Sequence, residues 1–168
     1  MNDSFFKINI SFTQCEDFST AEDNFLPPDN FQHRPLGRAV NNTSPTNIGM
    51  AITSAIAAQE LGFIDESRLY EMLLGMCRAI EGLEKWHGHL YNWYSIETMR
   101  PLHPKYVSTV DSGNLAAALM CAEVKLSSLG HKETAARFGA LYTDIDFGLL
   151  ADGERKLLSI GLDAEEGR

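Results

Sequence analysis

The chain has 168 residues, 44% of them apolar and 22% charged, which is enough for one domain with a sizeable core. Its formal net charge is −9, so a nucleic-acid backbone or an anionic membrane surface repels it, while neutral or cationic ligands suit it. The opening "MNDSFFKINI" has no basic stretch followed by a long apolar run, and no segment approaches the roughly 20 apolar residues of a membrane span.

Residues 1–25 show little periodicity, and "NDSFFKINISF" reads as a short strand or a frayed end. Residues 25–49, "FLPPDNFQHRPLGRAVNNTSPTNIG", hold four prolines and four asparagines, which forbid a long helix or a central strand. This is a structured loop. A helix is expected to start at Ser44, as cap, with Pro45 in the first helical position. Its run "TNIGMAITSAIAAQEL" is small and apolar on most sides, as in a buried helix, and Gly62 stops it. Asp65 caps a second helix over 66–84, where Leu69, Met72, Leu73, Met76, Ile80 and Leu83 form one apolar stripe.

Residues 87–94 suggest a short strand and 95–110 a loop. A third helix is expected after Asp111 and Ser112, with Leu115, Leu119, Ala122, Leu126 and Leu129 on one stripe. A fourth, amphipathic helix over 132–150 carries Phe138, Leu141, Tyr142, Ile145 and Leu149, and 155–162 reads as extended. "SPTNIGMA" (44–51) aligns with "DSGNLAAA" (111–118), and "ELGFIDES" (60–67) with "SLGHKETA" (128–135), at an offset of about 67. Each unit is a long loop, a small-residue inner helix, a turn and an amphipathic outer helix. The fold class is therefore mainly α, with one or two short β segments. Stacked helical hairpins of this sort make either a superhelix or a closed ring, and inner helices rich in Ala and Gly suit a ring, so these read as part of a toroid whose long loops gather at one mouth. Two hairpins leave an apolar edge exposed, so aggregation or poorly cooperative folding of the isolated chain is expected.

Three cysteines, Cys15, Cys77 and Cys121, are odd in number, and two lie in apolar helical patterns, so buried reduced thiols are expected. His87 and His89 are positioned to share a strand face, but no third ligand is spaced for zinc. No Gly-rich phosphate loop and no G-x-S-x-G elbow occur. No metal or cofactor is expected.

"GHLYNWYSIETMRPLHPKYVSTVDSGNLAAAL" (88–119) packs flat rings around one carboxylate, Asp111. Sugars present C–H faces that Trp and Tyr rings cover, and hydroxyl edges that Asp and Asn bind. Candidate sugar-binding residues are Asp29, Asn30, Asn92, Trp93, Tyr94, Tyr106 and Asn114. The same rings also suit a small core beneath a loop. Asp111 is read as a helix N-cap whose ionised form suits a base, a nucleophile or a hydroxyl anchor. A general acid would have to be a different carboxyl, and Glu84 is the nearest candidate.

"TAEDNFLPPDNFQ" (20–32), "TSPTNIG" (43–49), "GHLYNWYSIETMRPLHPKYVSTVDSGNLA" (88–116) and "ERKLLSIG" (154–161) resemble the middle region of cyclic β-1,2-glucan synthases. The resemblance runs from residue 16 to 168 and leaves 1–15 unmatched. It implies a glucoamylase-like (α/α)6-toroid domain related to endo-β-1,2-glucanases. By that resemblance the toroid closes a linear β-1,2-glucan into a ring by transglycosylation, using two carboxylates. The parent synthase is implied to sit in the inner membrane; the isolated chain is expected in the cytoplasm, with the rest of the synthase as an expected partner. The sequence departs from the family pattern at Ser95, where an Asp is usual, and at Asn41-Asn42, where a His-Arg pair is usual. A further acidic helix motif of the family does not occur, so the chain is expected to be inactive alone. The rival readings are a β-1,2-glucan hydrolase, a non-catalytic carbohydrate-binding remnant and a helical-hairpin interaction protein.

Overall fold

The computed structural model describes residue 20, residues 22–32 and residues 38–166. The expected strand in 2–12 and the unmatched segment 1–15 lie outside these residues, as does Cys15. The helix starts follow from local chemistry. The Ser44 hydroxyl accepts a hydrogen bond from the Asn47 amide, and Pro45 has no N–H to leave unsatisfied, so α1 runs Pro45–Glu60. The Asp65 carboxylate accepts from the Arg68 amide and starts α2, Glu66–Gly82. At the far end of α2 the Lys85 ammonium donates to the carbonyls of Ile80, Leu83 and Glu81 at 2.5, 3.0 and 3.2 Å. A cation there neutralises the negative end of the helix dipole. Two further helices follow, α3 at Thr109–Ser128 and α4 at Lys132–Thr143.

These four helices make two hairpins. The inner helices α1 and α3 pack on each other, with α2 and α4 outside, and α4 lies along α3. Ile48, Ile52, Ala55 and Ala58 of α1 meet the α2 stripe Leu69, Met72, Leu73, Met76 and Ile80 in one core. Leu115, Leu119, Ala122 and Leu126 of α3 and Phe138 of α4 complete it. Arg137 joins the outer helices through a two-pronged bond to Glu81, at 2.8 and 2.6 Å, and Lys125 pairs with Glu60 between the inner ones. Small residues allow the inner pair to approach closely. A Cβ on Gly49 would stand 3.2 Å from the Ala118 Cβ and 3.3 Å from the Asn114 carbonyl oxygen.

The β content is more fragmented than expected: among the described residues it comprises ten strands of two or three residues, paired two by two. Before α1 these are β1 (Phe31–Gln32), β2 (Arg38–Ala39) and β3 (Asn42–Thr43). β4 (Lys85–Trp86) and β5 (His89–Leu90) form a hairpin, and β6 (Tyr94–Ser95) pairs with β3. The expected loop 95–110 ends in β7 (Tyr106–Ser108), which pairs with β10 (Gly161–Asp163) beyond the β8–β9 hairpin (Ala151–Asp152 with Leu157–Leu158).

Several boundaries are corrected. α3 starts at Thr109, capped by Ser108, so Asp111 lies inside the first turn rather than capping it. Both inner helices end in Leu-Gly, with Gly62 and Gly130 at φ 76° and 89°, but α3 has 20 residues against 16 in α1. The added turn is at the loop end and carries Asp111. α4 stops at Thr143 although its stripe continues to Leu149, because the Asp146 backbone turns to bond the β4–β5 hairpin; a 3₁₀ turn, Phe147–Leu150, follows. Cys77 is buried as expected, with its thiol pushed up to about 12 by burial, but Cys121 is exposed. Cys121 shares with Val110, Ala117 and Val124 a stripe of α3 that faces outward, the exposed apolar edge anticipated from the sequence.

Candidate functional site

The N-termini of α1 and α3 lie at one mouth, and three connections hold the loops over it. Asp29 donates its amide to the Asn42 carbonyl at 2.8 Å, and β3 pairs with β6, which ties Asp29 and β3 to the aromatic segment. Asn92 donates its amide to the Tyr106 carbonyl at 2.7 Å. The start of α3 is clamped from the far end of the chain. The Thr109 amide bonds the Ile160 carbonyl at 3.0 Å, and its hydroxyl bonds the Ser159 carbonyl at 2.7 Å.

Because Ser108 caps α3, the Asp111 carboxylate is free to face sideways across the mouth. Thr46, in the first turn of α1, donates its hydroxyl to Asp111 Oδ1 at 2.5 Å, and Asn114 donates to Thr46 Oγ1 at 3.1 Å. On the other side the amide of Asn92, oriented by its neighbours, donates to Asp111 Oδ2 at 2.9 Å and accepts from the Trp93 indole N–H at 3.1 Å. Every donor in this chain of bonds points toward Asp111, which is half-buried. Asp29 forms a parallel arrangement: its two oxygens accept from Asn47 at 3.0 Å and from Asn30 at 3.1 Å. Asp29, Asn30, Asn92, Trp93, Asp111 and Asn114, all named from the sequence, thus stand on one rim joined through Thr46 and Asn47. Sequence reasoning misses Thr46. Its signal is that a Ser44 cap places residues 46 and 47 in the first turn, at the mouth.

Other expected site residues are placed differently. Tyr94 is fully buried, donates its hydroxyl to the Glu84 carbonyl at 2.6 Å and accepts from the Tyr91 amide at 2.9 Å. It therefore has no ring face for a sugar, and burial raises its phenol pKa. Tyr106 contributes its carbonyl to the rim; its hydroxyl lies where a Cβ on Gly161 would stand, 2.2 Å away. The Glu84 carboxylate pairs with Lys105 at 2.6 Å and accepts from the Tyr91 hydroxyl at 3.4 Å. Neither of these partners belongs to the network around Asp111. The Lys105 ion pair lowers the Glu84 pKa, which is the wrong direction for a proton donor at neutral pH. The groove lined by Phe25, Leu74, Gly75, Arg78 and Met99 runs along the outer helix α2 and shares no residue with the rim.

His87 and His89 do not share a face, because His87 sits in the tight turn between β4 and β5. His89 is buried directly behind the rim. Its Nε2 faces the Asp146 carbonyl at 3.0 Å and must carry the hydrogen, so Nδ1 accepts from the Ser112 hydroxyl at 2.8 Å. Burial lowers its pKa; His87 adds a smaller push the same way, and Asp146 opposes. As pH falls below about 6.5 the unfolded chain takes up a proton at this residue that the native chain resists. The stability present above that pH is therefore lost on acidification, with a slope of at most about 1.4 kcal/mol per pH unit from this one group. Thermal unfolding from pH 7.5 to 5 should show the decline before the carboxylates titrate. His89→Gln should start lower and run flat through the same window; an equally steep variant would remove His89 as the cause.

No family model matches the chain. Over 105 residues, 62% of its length, it is 46% identical to the cyclic β-(1,2)-glucan synthase NdvB of Rhizobium meliloti (strain 1021). The chain resembles a segment of a cyclic β-1,2-glucan synthase. That match spans 4% of the synthase. Among solved structures, an endo-β-1,2-glucanase from Chitinophaga pinensis, in complex with sophorotriose and glucose, superposes with a TM-score of 0.82 at 17% identity, over 95% of this chain and 41% of its own. A β-1,2-glucanase from Parabacteroides distasonis superposes with a TM-score of 0.79 at 15% identity, over 99% of this chain and 25% of its own. At these identities the likeness is one of fold, a glucoamylase-like α/α toroid, of which the described residues hold two hairpins. No helix among the described residues is long and apolar enough to cross a membrane.

Proposed function

We propose that this chain is a glucan-acting segment that holds a linear β-1,2-glucan across the Asp29–Asp111 rim, and that the parent reaction is transglycosylation. The observation that carries the reading is the convergence of Thr46 and Asn92 donors on one half-buried carboxylate beside a half-exposed indole. Such an arrangement binds the two kinds of sugar surface: the Trp93 ring meets C–H groups, while Asp111 in its ionised form accepts from a glucose hydroxyl. Asp29 repeats the hydroxyl-binding role along the rim. The synthase likeness supports β-1,2-linked glucose as substrate and an internal glucan hydroxyl as acceptor. We read the outward stripe of α3 as the face that meets a neighbouring hairpin of the toroid in the parent synthase, at the inner membrane.

A second reading, hydrolysis, takes its support from two of the structural neighbours, which are β-1,2-glucanases. It differs only in that water replaces the sugar acceptor. Calorimetric titration with linear β-1,2-, β-1,3- and β-1,4-gluco-oligosaccharides tests the reading. Saturable heat is expected for the β-1,2 series alone, and no saturation with that series would end it. Where turnover accompanies binding, cyclic products indicate transfer and linear ones hydrolysis.

A further inference from the structure

We infer that Thr46 is the positioning residue that fixes Asp111, and that the missing side chain of Gly49 sets the helix approach that lets it do so. Thr46 and Gly49 stand three residues apart on α1, so they lie on one face. Asp111, Asn114, Leu115 and Ala118 form the matching face of α3. The contacts stack like rungs. At the mouth Thr46 meets Asp111 and Asn114; one turn deeper, a Cβ on Gly49 would press on the Asn114 carbonyl at 3.3 Å, the Leu115 Cα at 3.5 Å and the Ala118 Cβ at 3.2 Å. Any larger residue at 49 separates the helices by a few tenths of an ångström, unless Ala118 or the α3 backbone gives way, and that separation reaches the Thr46–Asp111 bond above it.

The hydroxyl has a role that no apolar side chain of the same shape can fill. It receives the Asn114 N–H and therefore directs its own hydrogen to Asp111 Oδ1. Asn92 holds Oδ2. With both oxygens held, the carboxylate plane is fixed and its remaining lone pairs face outward. With Asn92 alone the carboxylate can turn about its Cβ–Cγ bond. Serine keeps the donor; valine keeps the volume and loses it.

Two readouts test this, and only the second rests on the glucan reading. In the folded chain, the side-chain amide resonances of Asn92 and Asn114 report the bonds directly by ¹⁵N–¹H spectroscopy. Thr46→Val should shift both sets, and Thr46→Ser should leave them near wild type; Thr46→Ala replaces the valine variant if it unfolds. In titration with linear β-1,2-gluco-oligosaccharides, Thr46→Val should weaken affinity about tenfold, the worth of one charge-assisted hydrogen bond. Thr46→Ser should stay within about twofold, and Gly49→Ala, with the Thr46 hydroxyl intact, should fall between the two. The inference is overturned if the Thr46→Val resonances stay unmoved, or if Thr46→Ser behaves as Thr46→Val does. If the wild-type chain binds no β-1,2-glucan, the substrate reading falls, and the resonances still decide the role of Thr46.

Discussion

Asp111→Asn should abolish measurable binding of linear β-1,2-gluco-oligosaccharides, a loss of about 100-fold or more, although the side chain changes by one atom. The reason is the polarity of the network. Trp93 donates to Asn92 and Asn92 to Asp111; Asn114 donates to Thr46 and Thr46 to Asp111. Both lines end on a group that only accepts. An asparagine must present its NH₂ to one of the two donors. If it faces Asn92, that amide has to turn over, and its NH₂ then meets the Trp93 indole N–H. If it faces Thr46, the hydroxyl is caught between two donors and its own hydrogen loses its acceptor. Losing one hydrogen bond to a charged group costs about 1.5–3 kcal/mol, and an opposed donor adds a desolvation penalty of about 1–3 kcal/mol. Two such changes account for the 100-fold loss. Asp111→Ala separates charge from conflict: it frees both donors to bind water at a half-exposed site, so it should bind as poorly but unfold closer to wild type. Calorimetric titration and thermal unfolding on the three proteins give the comparison. Unchanged affinity in Asp111→Asn would take Asp111 out of the sugar site.

The site was legible to the extent that its parts carry local chemistry. Ser44-Pro45 and Asp65 announce helix starts that depend on neighbouring residues only, and both helices begin there. The start of α3 was not legible, because "SGN" after Asp111 looks like a helix opening and Thr109-Val110 fall in the stretch 95–110 that reads as a loop. What holds those residues in the first turn is the Ser108 cap together with the clamp from Ser159 and Ile160, some 50 residues away. The displaced cap is also what frees the Asp111 carboxylate for Thr46. The aromatic segment shows a second limit. "YNWY" holds three rings and an amide, but composition does not say which face each residue takes. Tyr91 and Tyr94 turn inward to meet each other and Glu84, while Asn92 and Trp93 turn to the rim. Glu84 lies close to the segment in sequence, yet Lys105 claims its carboxylate. The stripe of α4 continued to Leu149 in the sequence, and only the hairpin bond at Asp146 explains why the helix does not.

That hairpin carries the largest expected effect on stability: Gly88→Ala should cost about 4 kcal/mol. His87 and Gly88 form the two-residue turn between Trp86 and His89, with φ of 47° and 82°, the pattern of a type I′ turn. Alanine at such a φ costs on the order of 1 kcal/mol by itself. Overlap costs more. A Cβ on Gly88 would lie 2.0 Å from the Asp144 carbonyl oxygen, 2.4 Å from its carbon and 2.8 Å from the Ile145 nitrogen. All three are backbone atoms, so no side chain can swing aside, and the turn itself has to lift from the end of α4. Lifting it draws His89 out of its place between Ser112 and the Asp146 carbonyl and breaks the bond from the Asp146 amide to the His87 carbonyl. The His89 ring then loses both partners while still enclosed by protein. For a chain of this length the midpoint of thermal unfolding should fall by about 10 °C. The effect should reach the rim as well, because Ser112 follows Asp111 in the first turn of α3. Gly88→Ala should therefore weaken glucan affinity at temperatures where the chain remains folded. Gly130→Ala, at φ 89° with nothing within 4 Å, should show only the cost of the backbone conformation and leave affinity unchanged. Equal losses in the two variants would mean that strain at the turn, rather than contact with the Asp144 backbone, is what Gly88 relieves.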